Sequence, residues 1–392
     1  MGTVEVVVAR TIEAVEALRA VWASLNVPNI DADIDYFLTV VKELPSAVRP
    51  HVIHIRADDR DMLVVARIED MHLPLKLGYS TLAQVRLRGL ILSFDGILGA
   101  RGRADEALAF AKLRDALACG DADLLIARNL DLAGDRLAAA ISVNHWLFRG
   151  HGQVPSHRWV IDVSESLEAF LARRTASTRK KLRREERELF KHFEGDVELR
   201  CFRDPDDLDE ACRDMTAVAA VTYQHKLGAA FSGVALDRAL LQLGLKMGWS
   251  RVWMLYCAGR PVAFWPGTAY AQVFAVGTPG FDPVYSDYAV GRFSMIRMIG
   301  DLSRDSSVKM MDFGQGEAEY KSRFGQALRL ERDMMVAAPR PWPVVVLWIH
   351  SLFTLANEGA RQMAHSFKWI GHLKTAWRRR GTVIATDAEV AP

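Results

Sequence analysis

One order of predicted elements occurs twice along the chain, and this repetition restricts the fold more than any other feature of the sequence. In the first half, β-rich runs predict a hairpin within residues 51–70 and a third strand over 90–98. A helix with apolar residues at i, i+3 and i+7 follows over 105–118, and a buried strand begins at residue 123. The first half therefore reads as three strands, one helix and a fourth strand.

The second half repeats this order with a different sequence. Strands are predicted over 251–258, 261–270 and 271–277, followed by a helix over 289–303 and a strand over 307–314. A strand–helix–strand connection brings its two strands parallel, whereas hairpin strands are antiparallel. Each half therefore predicts a mixed sheet with helices on its faces.

These elements place the chain in the α/β class, with mixed and mostly antiparallel sheets flanked by helices. An ancient duplication accounts for the repeated order, and a pair of unrelated α/β domains is the alternative. A glycine- and proline-containing stretch over 149–155 marks the seam. We predict a first domain over 1–150, a second over 151–340, and a helical tail with a disordered end over 341–392.

Composition argues against several classes of protein. The net charge is only +2, so no global field favours a polyanionic partner. The four cysteines form no C-x-x-C pair, and no histidine spacing completes a zinc pattern, so we expect no metal site. The N-terminus lacks a basic signal region, and the longest apolar stretch, 344–356, is shorter than the roughly 20 residues of a spanning helix. We expect a cytoplasmic protein.

A dense pattern of spaced residues begins at residue 281. It has an aromatic-Asp-Pro-x-Tyr opening, a glycine at a helix start, and then Asp-aromatic-Gly-x-Gly-x-x-x-Tyr-Lys-x-x-Phe-Gly. The matching positions are Phe281, Asp282, Pro283, Tyr285, Gly291, Asp312, Phe313, Gly314, Gly316, Tyr320, Lys321, Phe324 and Gly325. With these residues, the region 158–330 resembles a bacterial acetyltransferase-like branch of the GNAT superfamily that is associated with cellulose and exopolysaccharide loci.

The resemblance implies two GNAT-like halves with the working site in the second. It implies direct transfer of an acyl group from acetyl-CoA or another acyl-CoA to an amine or hydroxyl of a small-molecule or saccharide acceptor. The chain contains no G-x-S-x-G nucleophile elbow, in agreement with direct transfer. The architecture is also similar to Fem-type peptidyltransferases, which use aminoacyl-tRNA. A Fem-like transferase and a non-catalytic scaffold that binds a polysaccharide-synthesis partner are the two alternatives.

Two segments of the second half are expected to contact acyl-CoA. The start of the helix near residue 290 offers free N–H groups and a partial positive charge to a pyrophosphate, although it holds one glycine where GNAT enzymes usually have more. The strand before it would supply a backbone N–H that polarises the thioester carbonyl. The predicted contacts in these two segments are Ala275, Val276, Gly277, Val290, Gly291 and Arg292, and Lys321 of the segment 312–325 is a further predicted contact that would neutralise phosphate.

The segment 312–325 carries most of the predicted chemistry. Tyr320 would protonate the leaving thiolate, a role that the resemblance implies. A carboxylate, from Asp312 or Glu317, would accept the proton of the acceptor. His225 is a further candidate base because its ordinary pKa suits proton transfer near neutral pH. The predicted catalytic residues are therefore Tyr320, Asp312, Glu317 and His225, with a purely structural role for each as the alternative.

A basic run precedes this segment. Residues 173–187 hold eight basic and two acidic residues, a local charge of +6. This excess suits an anionic substrate, but aromatic residues are not interleaved with the charges, so general nucleic-acid binding is not expected. The predicted substrate-binding residues are Tyr223, Arg179, Lys180 and Arg183.

The tail combines tryptophans with late basic residues over 341–380. Amphipathic helices of this composition bind at membrane interfaces, which here would be the inner face of the membrane. Packing against the two domains, or against a second subunit in a homo-oligomer, is the alternative reading.

Overall fold

The computed structural model of the chain describes residues 4–44, 46–57, 60–78, 80–222 and 231–366. Within these ranges, twelve α-helices surround one mixed sheet of thirteen strands. None of the helices in the described part of the chain is long and apolar enough to cross a membrane.

The first half contains the predicted order of elements with further helices around it. Its elements are β1 (Val4–Ala9), α1 (Ile12–Glu16), α2 (Arg19–Ser24), α3 (Ile34–Glu43), β2 (Val48–Ala57), β3 (Arg60–Leu77), β4 (Ser80–Leu98), α4 (Arg103–Ala118), β5 (Leu124–Asp131), α5 (Asp135–Val143) and β6 (Ser156–Asp162). Local sequence fixes the start of α3, where the Asp33 carboxylate accepts the N–H groups of Asp35 and Tyr36 at 2.9 and 3.3 Å.

The second half repeats the order and adds a long C-terminal helix. Its elements are α6 (Leu167–Ala172), α7 (Ala176–His192), β7 (Val197–Phe202), α8 (Leu208–Val221), α9 (Ala235–Lys246), β8 (Ser250–Cys257), β9 (Arg260–Tyr270), β10 (Val273–Val276), β11 (Gly280–Phe281), α10 (Val290–Leu302), β12 (Met310–Gln315), α11 (Glu319–Phe324), β13 (Gln326–Ala337) and α12 (Pro341–Ser366).

The two halves share one sheet because each contributes a strand to the other. The strand order is β1-β2-β3-β4-β5-β13-β6-β12-β10-β9-β8-β7, with β11 beside β9. Strand β6 of the first run of elements pairs with β12, and β13 at the end of the second run pairs with β5. This reciprocal exchange places β13 and β6 side by side at the centre of the sheet.

Equivalent helices of the two halves cover the same face of this sheet. Helices α1, α2 and α3 pack on the first half, and α8 and α9 pack on the second. Helix α3 contacts α9 across the junction, and the Tyr270 hydroxyl donates to the Asp33 carboxylate at 2.9 Å. The opposite face carries α4 and α5 in one half and α6, α10 and α11 in the other. The helices of the two halves therefore pack against each other across the junction.

The predicted fold class is confirmed. Both halves have three strands, a helix and a fourth strand in a mixed sheet, and the helix predicted over 289–303 is α10. The strand predicted over 90–98 is the end of β4, which forms with β3 a hairpin far longer than predicted.

Candidate functional site

Strands β10 and β12 separate partway along their length. Their parallel pairing ends at Ala275 and Asp312. Beyond this point β10 stays with β9, whereas β12 follows β6 through a register shift between Asp312 and Gln315. The separation leaves an opening in the sheet beside α10, which packs on β8 and β9. A ligand entering this opening would reach backbone groups that are otherwise used in sheet pairing.

The predicted strand contacts lie at the edge of this opening. Ala275 is paired on both sides, with Thr268 and Asp312, and Val276 pairs only with Gly267. The N–H of Gly277 donates to the Pro266 carbonyl at 2.9 Å. Polarisation of a carbonyl by this segment therefore remains a prediction.

Helix α10 begins at a strained backbone position next to the opening. Ala289 has φ +53°, in the left-handed region, and Val290 directly after it is buried. A Cβ atom on Gly291 would meet the Phe281 ring only at ordinary contact distance, 3.5 Å, so space alone does not require glycine here. The first turn of α10 contains no acidic residue. An anion near this turn would meet the positive end of the helix dipole and no carboxylate of α10 itself, although Glu185 of α7 reaches Arg292.

Arg292 connects the start of α10 to the basic helix α7. Its guanidinium donates to both carboxylate oxygens of Glu185, at 2.9 and 2.6 Å. Arg297 forms a second ion pair with Glu186 of the same helix. Arg292 is thus engaged in a forked ion pair and would reach a phosphate only by giving up or sharing Glu185.

A groove of 590 Å³ runs along α7. Three of its lining residues, Arg179, Lys180 and Arg183, were predicted to bind substrate, and the rest are Ala176, Glu186 and Arg187. Because Glu186 also pairs with Arg297, the groove lies beside α10. The basic side chains and the helix start are therefore on neighbouring elements.

A buried ion-pair network lies at the centre of the sheet, and sequence reasoning did not identify it. Arg158 of β6 donates to Asp312 of β12 at 2.7 Å and to Glu331 of β13 at 3.2 Å. Burial alone would lower the pKa of Arg158, but the two carboxylates outweigh it and raise this pKa above its ordinary value. Asp312 also accepts the N–H of Gly314 at 2.7 Å. Both oxygens of Asp312 are therefore occupied, which favours positioning of the following loop over proton transfer.

The loop and α11 hold the remaining predicted catalytic residues. The backbone turns at Gly314 and Gly316, which have φ +71° and +95°. The Lys321 ammonium donates to the Gln315 carbonyl at 2.6 Å, and burial lowers the pKa of Lys321. The half-buried Tyr320 ring packs edge-on against Trp265 and Phe313 at centroid distances of 5.7 and 5.4 Å.

The structure thus brings Ala275, Asp312, Tyr320 and Lys321 to one end of the opening. Glu317 is exposed in the loop. Tyr223 and His225 lie outside the described residues. Within the described ranges, no three His, Cys, Asp or Glu side chains come together to hold a metal ion.

One carboxylate of the first half lies near Arg158 of the central ion-pair network. Asp31 lies in a short 3₁₀ turn that packs against β4, and its side chain is half-buried. Burial raises the pKa of Asp31, and the positive charges of Arg67 and Arg158 offset part of that rise. Among the described residues, no hydrogen bond or ion pair engages its carboxylate. No local motif marks Asp31, because only the packing of the halves brings it near Arg158.

Comparison with known proteins agrees with this placement of the site. Residues 176–322, from the start of α7 into α11, match the acetyltransferase (GNAT) domain family. The second half therefore contains a GNAT domain, and this domain supports an acyltransferase. No curated protein matches the chain in sequence.

Solved structures show the same overall fold. FemX matches with 9% identity, 88% of this chain, 100% of that chain and a TM-score of 0.57. The C-terminal domain of a putative lysylphosphatidylglycerol synthetase from Agrobacterium fabrum matches with 12% identity, 87% of this chain, 96% of that chain and a TM-score of 0.51. A tandem GNAT protein from the clavulanic acid biosynthesis pathway matches with 12% identity, 86% of this chain, 100% of that chain and a TM-score of 0.48. At these identities, the first two matches establish a common fold only.

Proposed function

We propose that the protein transfers an acyl group from an acyl-CoA to an amine or hydroxyl of its acceptor. The observation that carries the proposal is the separation of β10 and β12 beside the start of α10, within the region that matches the GNAT domain. The opening suits a thioester arm. The α10 turn without acidic residues, together with the basic groove along α7, suits a pyrophosphate.

The reaction is a direct displacement. The acceptor nitrogen or oxygen attacks the thioester carbonyl carbon, the C–S bond breaks, and the thiolate leaves. Tyr320 supplies a proton to that thiolate, and a carboxylate removes the proton of the acceptor. Asp312 is occupied by Arg158 and Gly314, so we assign it a positioning role. Glu317 and Asp31 are the candidate bases that the described residues offer.

Replacing each candidate base by its amide would separate them. We expect the Asp31→Asn variant to lose the acidic limb of the pH–rate profile, because that limb reports protonation of the essential base. The Glu317→Gln variant should then retain the limb. If Glu317→Gln removes the limb and Asp31→Asn does not, Glu317 is the base.

Acyl-CoA binding tests the proposal directly. Calorimetric titration with acetyl-CoA, desulfo-CoA and CoA should show saturable binding by the wild-type protein. The Arg183→Ala variant should bind more weakly, and the Arg86→Ala variant should bind equally, because Arg86 is exposed on the β3–β4 hairpin. No binding of any of the three ligands would refute acyl-CoA as the donor.

Fem-like aminoacyl transfer is the second candidate. The predominantly basic groove along α7 and the fold shared with FemX favour it, because a groove of this kind also suits the phosphates of tRNA. Binding of charged tRNA together with no binding of acyl-CoA would select this candidate. A scaffold role is left if neither donor binds.

The cellular setting is also a proposal. The four cysteines are free thiols, which supports a reducing compartment such as the cytoplasm. A role in exopolysaccharide or cell-envelope synthesis, with a saccharide or small-molecule acceptor, rests on the resemblance of the 281–325 pattern.

A further inference from the structure

Helix α12 buries one side and exposes apolar residues on the other. Val346, Leu347 and Ser351 are buried and belong to the side that packs on β3 and β13. The opposite side carries five large apolar residues with exposed fractions of 37–62%. These residues, named here the α12 stripe, are Trp342, Val345, Ile349, Leu352 and Leu355.

The stripe follows the helix for most of its described length. Its first four members are spaced three, four and three residues apart, which places them on one line along a helix. Monomeric soluble domains seldom expose a continuous apolar line of this length, and such a surface usually binds a partner.

A second pair of exposed leucines lies beside the C-terminal part of α12. Leu77 and Leu82 are 50% and 57% exposed at the tip of the β3–β4 hairpin. Asn357 of α12 holds this tip, because its side chain accepts the N–H of Gly78 at 2.7 Å and donates to the Lys76 carbonyl at 2.8 Å. The hairpin tip and the helix therefore form one supported surface.

The charge of this segment indicates what the surface binds. The sequence 341–380 has a net charge of +5, although the whole chain carries only +2: Arg361 and Glu358 of α12 balance each other, and the five remaining basic residues follow the helix at positions 368, 374, 378, 379 and 380. Four of the ten tryptophans of the chain also lie there, at positions 342, 348, 369 and 377. Tryptophan favours the membrane–water interface, and clustered basic residues are attracted to anionic headgroups.

We propose that the α12 stripe and the hairpin tip dock on an anionic lipid surface, with the helix lying in the plane of the interface. A second copy of the chain is the less suitable occupant, because parallel pairing through α12 would bring two segments of charge +5 together. This proposal does not depend on acyl transfer and is tested without a substrate.

Vesicle flotation with the full-length protein tests the proposal. The wild-type protein should float with vesicles of phosphatidylcholine mixed with phosphatidylglycerol, should not float with phosphatidylcholine alone, and should be released by high salt. The double variant Trp342→Glu/Leu352→Glu should lose at least about tenfold in vesicle partitioning, since two large apolar contacts are replaced by charges that anionic lipid repels.

Val234→Glu is the matched control, because Val234 is 55% exposed at the start of α9, away from the stripe. It should partition as the wild type does, and circular dichroism checks that all variants fold. The proposal is overturned if the wild-type protein ignores anionic vesicles, or if the double variant binds them equally well. It is also overturned if light scattering shows a dimer that the double variant dissociates while vesicles bind neither form.

Discussion

Both halves of the molecule have an opening between corresponding strands of the sheet, but the charged residues at the two openings differ. In the first half, β4 and β5 separate after Leu92 and Ala127, and the resulting cavity of 250 Å³ is crossed by ion pairs. Arg136 binds Asp95 at 2.7 Å and Glu106 at 3.0 Å inside that cavity. The corresponding opening between β10 and β12 has no acidic residue at the adjacent helix start.

The first turns of the two equivalent helices show the contrast most simply. Helix α4 places Asp105 and Glu106 in its first turn, where carboxylates stabilise the helix and repel an incoming anion. Helix α10 begins instead with Val290, Gly291 and Arg292. The first of the two helix starts thus carries two acidic residues of its own, whereas the second carries Arg292, which a phosphate group would share with Glu185 of α7. This difference explains why we assign the donor site to the second half.

The largest expected effect concerns the buried ion-pair network of Arg158, Asp312 and Glu331, to which both halves contribute. Replacing Arg158 by Met should destabilise the protein by about 3–5 kcal/mol, because Asp312 and Glu331 would remain buried without their cation. Chemical denaturation measures this loss. Arg86→Ala, which breaks an exposed pair with Asp70, should cost at most about 1 kcal/mol. Equal losses in the two variants would show that the central network does not join the halves.

Acid should destabilise the fold because the buried His51 of the first half accepts a proton more readily in the unfolded chain. Its ring is fully buried, neither nitrogen has a hydrogen-bond partner in the described structure, and burial lowers its pKa from 6.5 to about 4. The unfolded chain binds the proton more readily, so stability should fall as the pH drops from 6.5 to about 4, by a total of about 3 kcal/mol. Denaturation of His51→Leu over this range should show a shallower pH dependence. An unchanged slope would contradict this account.

Removing the Tyr320 hydroxyl tests the proposed role of this residue as the proton donor in the second half. The Tyr320→Phe variant keeps the ring that packs on Trp265 and Phe313, so it should still fold, which circular dichroism checks. Turnover, measured as release of the CoA thiol with an acceptor found by screening, should fall by about a hundredfold because the leaving thiolate loses its proton donor. Wild-type turnover in this variant would remove Tyr320 from the mechanism.

The smallest expected effect comes from placing an acidic residue in the first turn of α10, as α4 has in its own first turn. Gly291→Asp should weaken acetyl-CoA binding by about two- to tenfold, because a carboxylate in the first turn opposes the pyrophosphate. Gly291→Asn has nearly the same shape without the charge and should bind close to the wild-type level. Equal affinities for the two variants would mean that the pyrophosphate binds elsewhere.

The order of elements in each half could be predicted because hydrophobic periodicity is a local property of the sequence. The exchange of β6 and β13 could not, since the pairing of β13 with β5 joins residues about two hundred positions apart. The outer part of the β3–β4 hairpin was missed because Pro74 interrupts the alternating apolar residues 71, 73, 75 and 77, and proline in such a run argues against a strand.

Some residues of the candidate site could likewise be predicted from local sequence, and others could not. Tyr320 and Lys321 could be found from the spacing of the 312–325 pattern, which lies within one loop and helix. Arg158 and Asp312 are 154 positions apart, and Asp31 belongs to the other half, so no local pattern connects them. The same buried pair also shows that a carboxylate in the right place for a base can already be occupied, which the sequence does not reveal.

Hydrogen–deuterium exchange of the full-length protein, with and without acetyl-CoA, tests the central claim most directly because it reports on both openings at once. We predict that acetyl-CoA slows exchange at the end of β10 and in the first turn of α10, and leaves the separation of β4 and β5 unchanged. Protection at the start of α4 with none at α10 would contradict the assignment of the donor site to the second half.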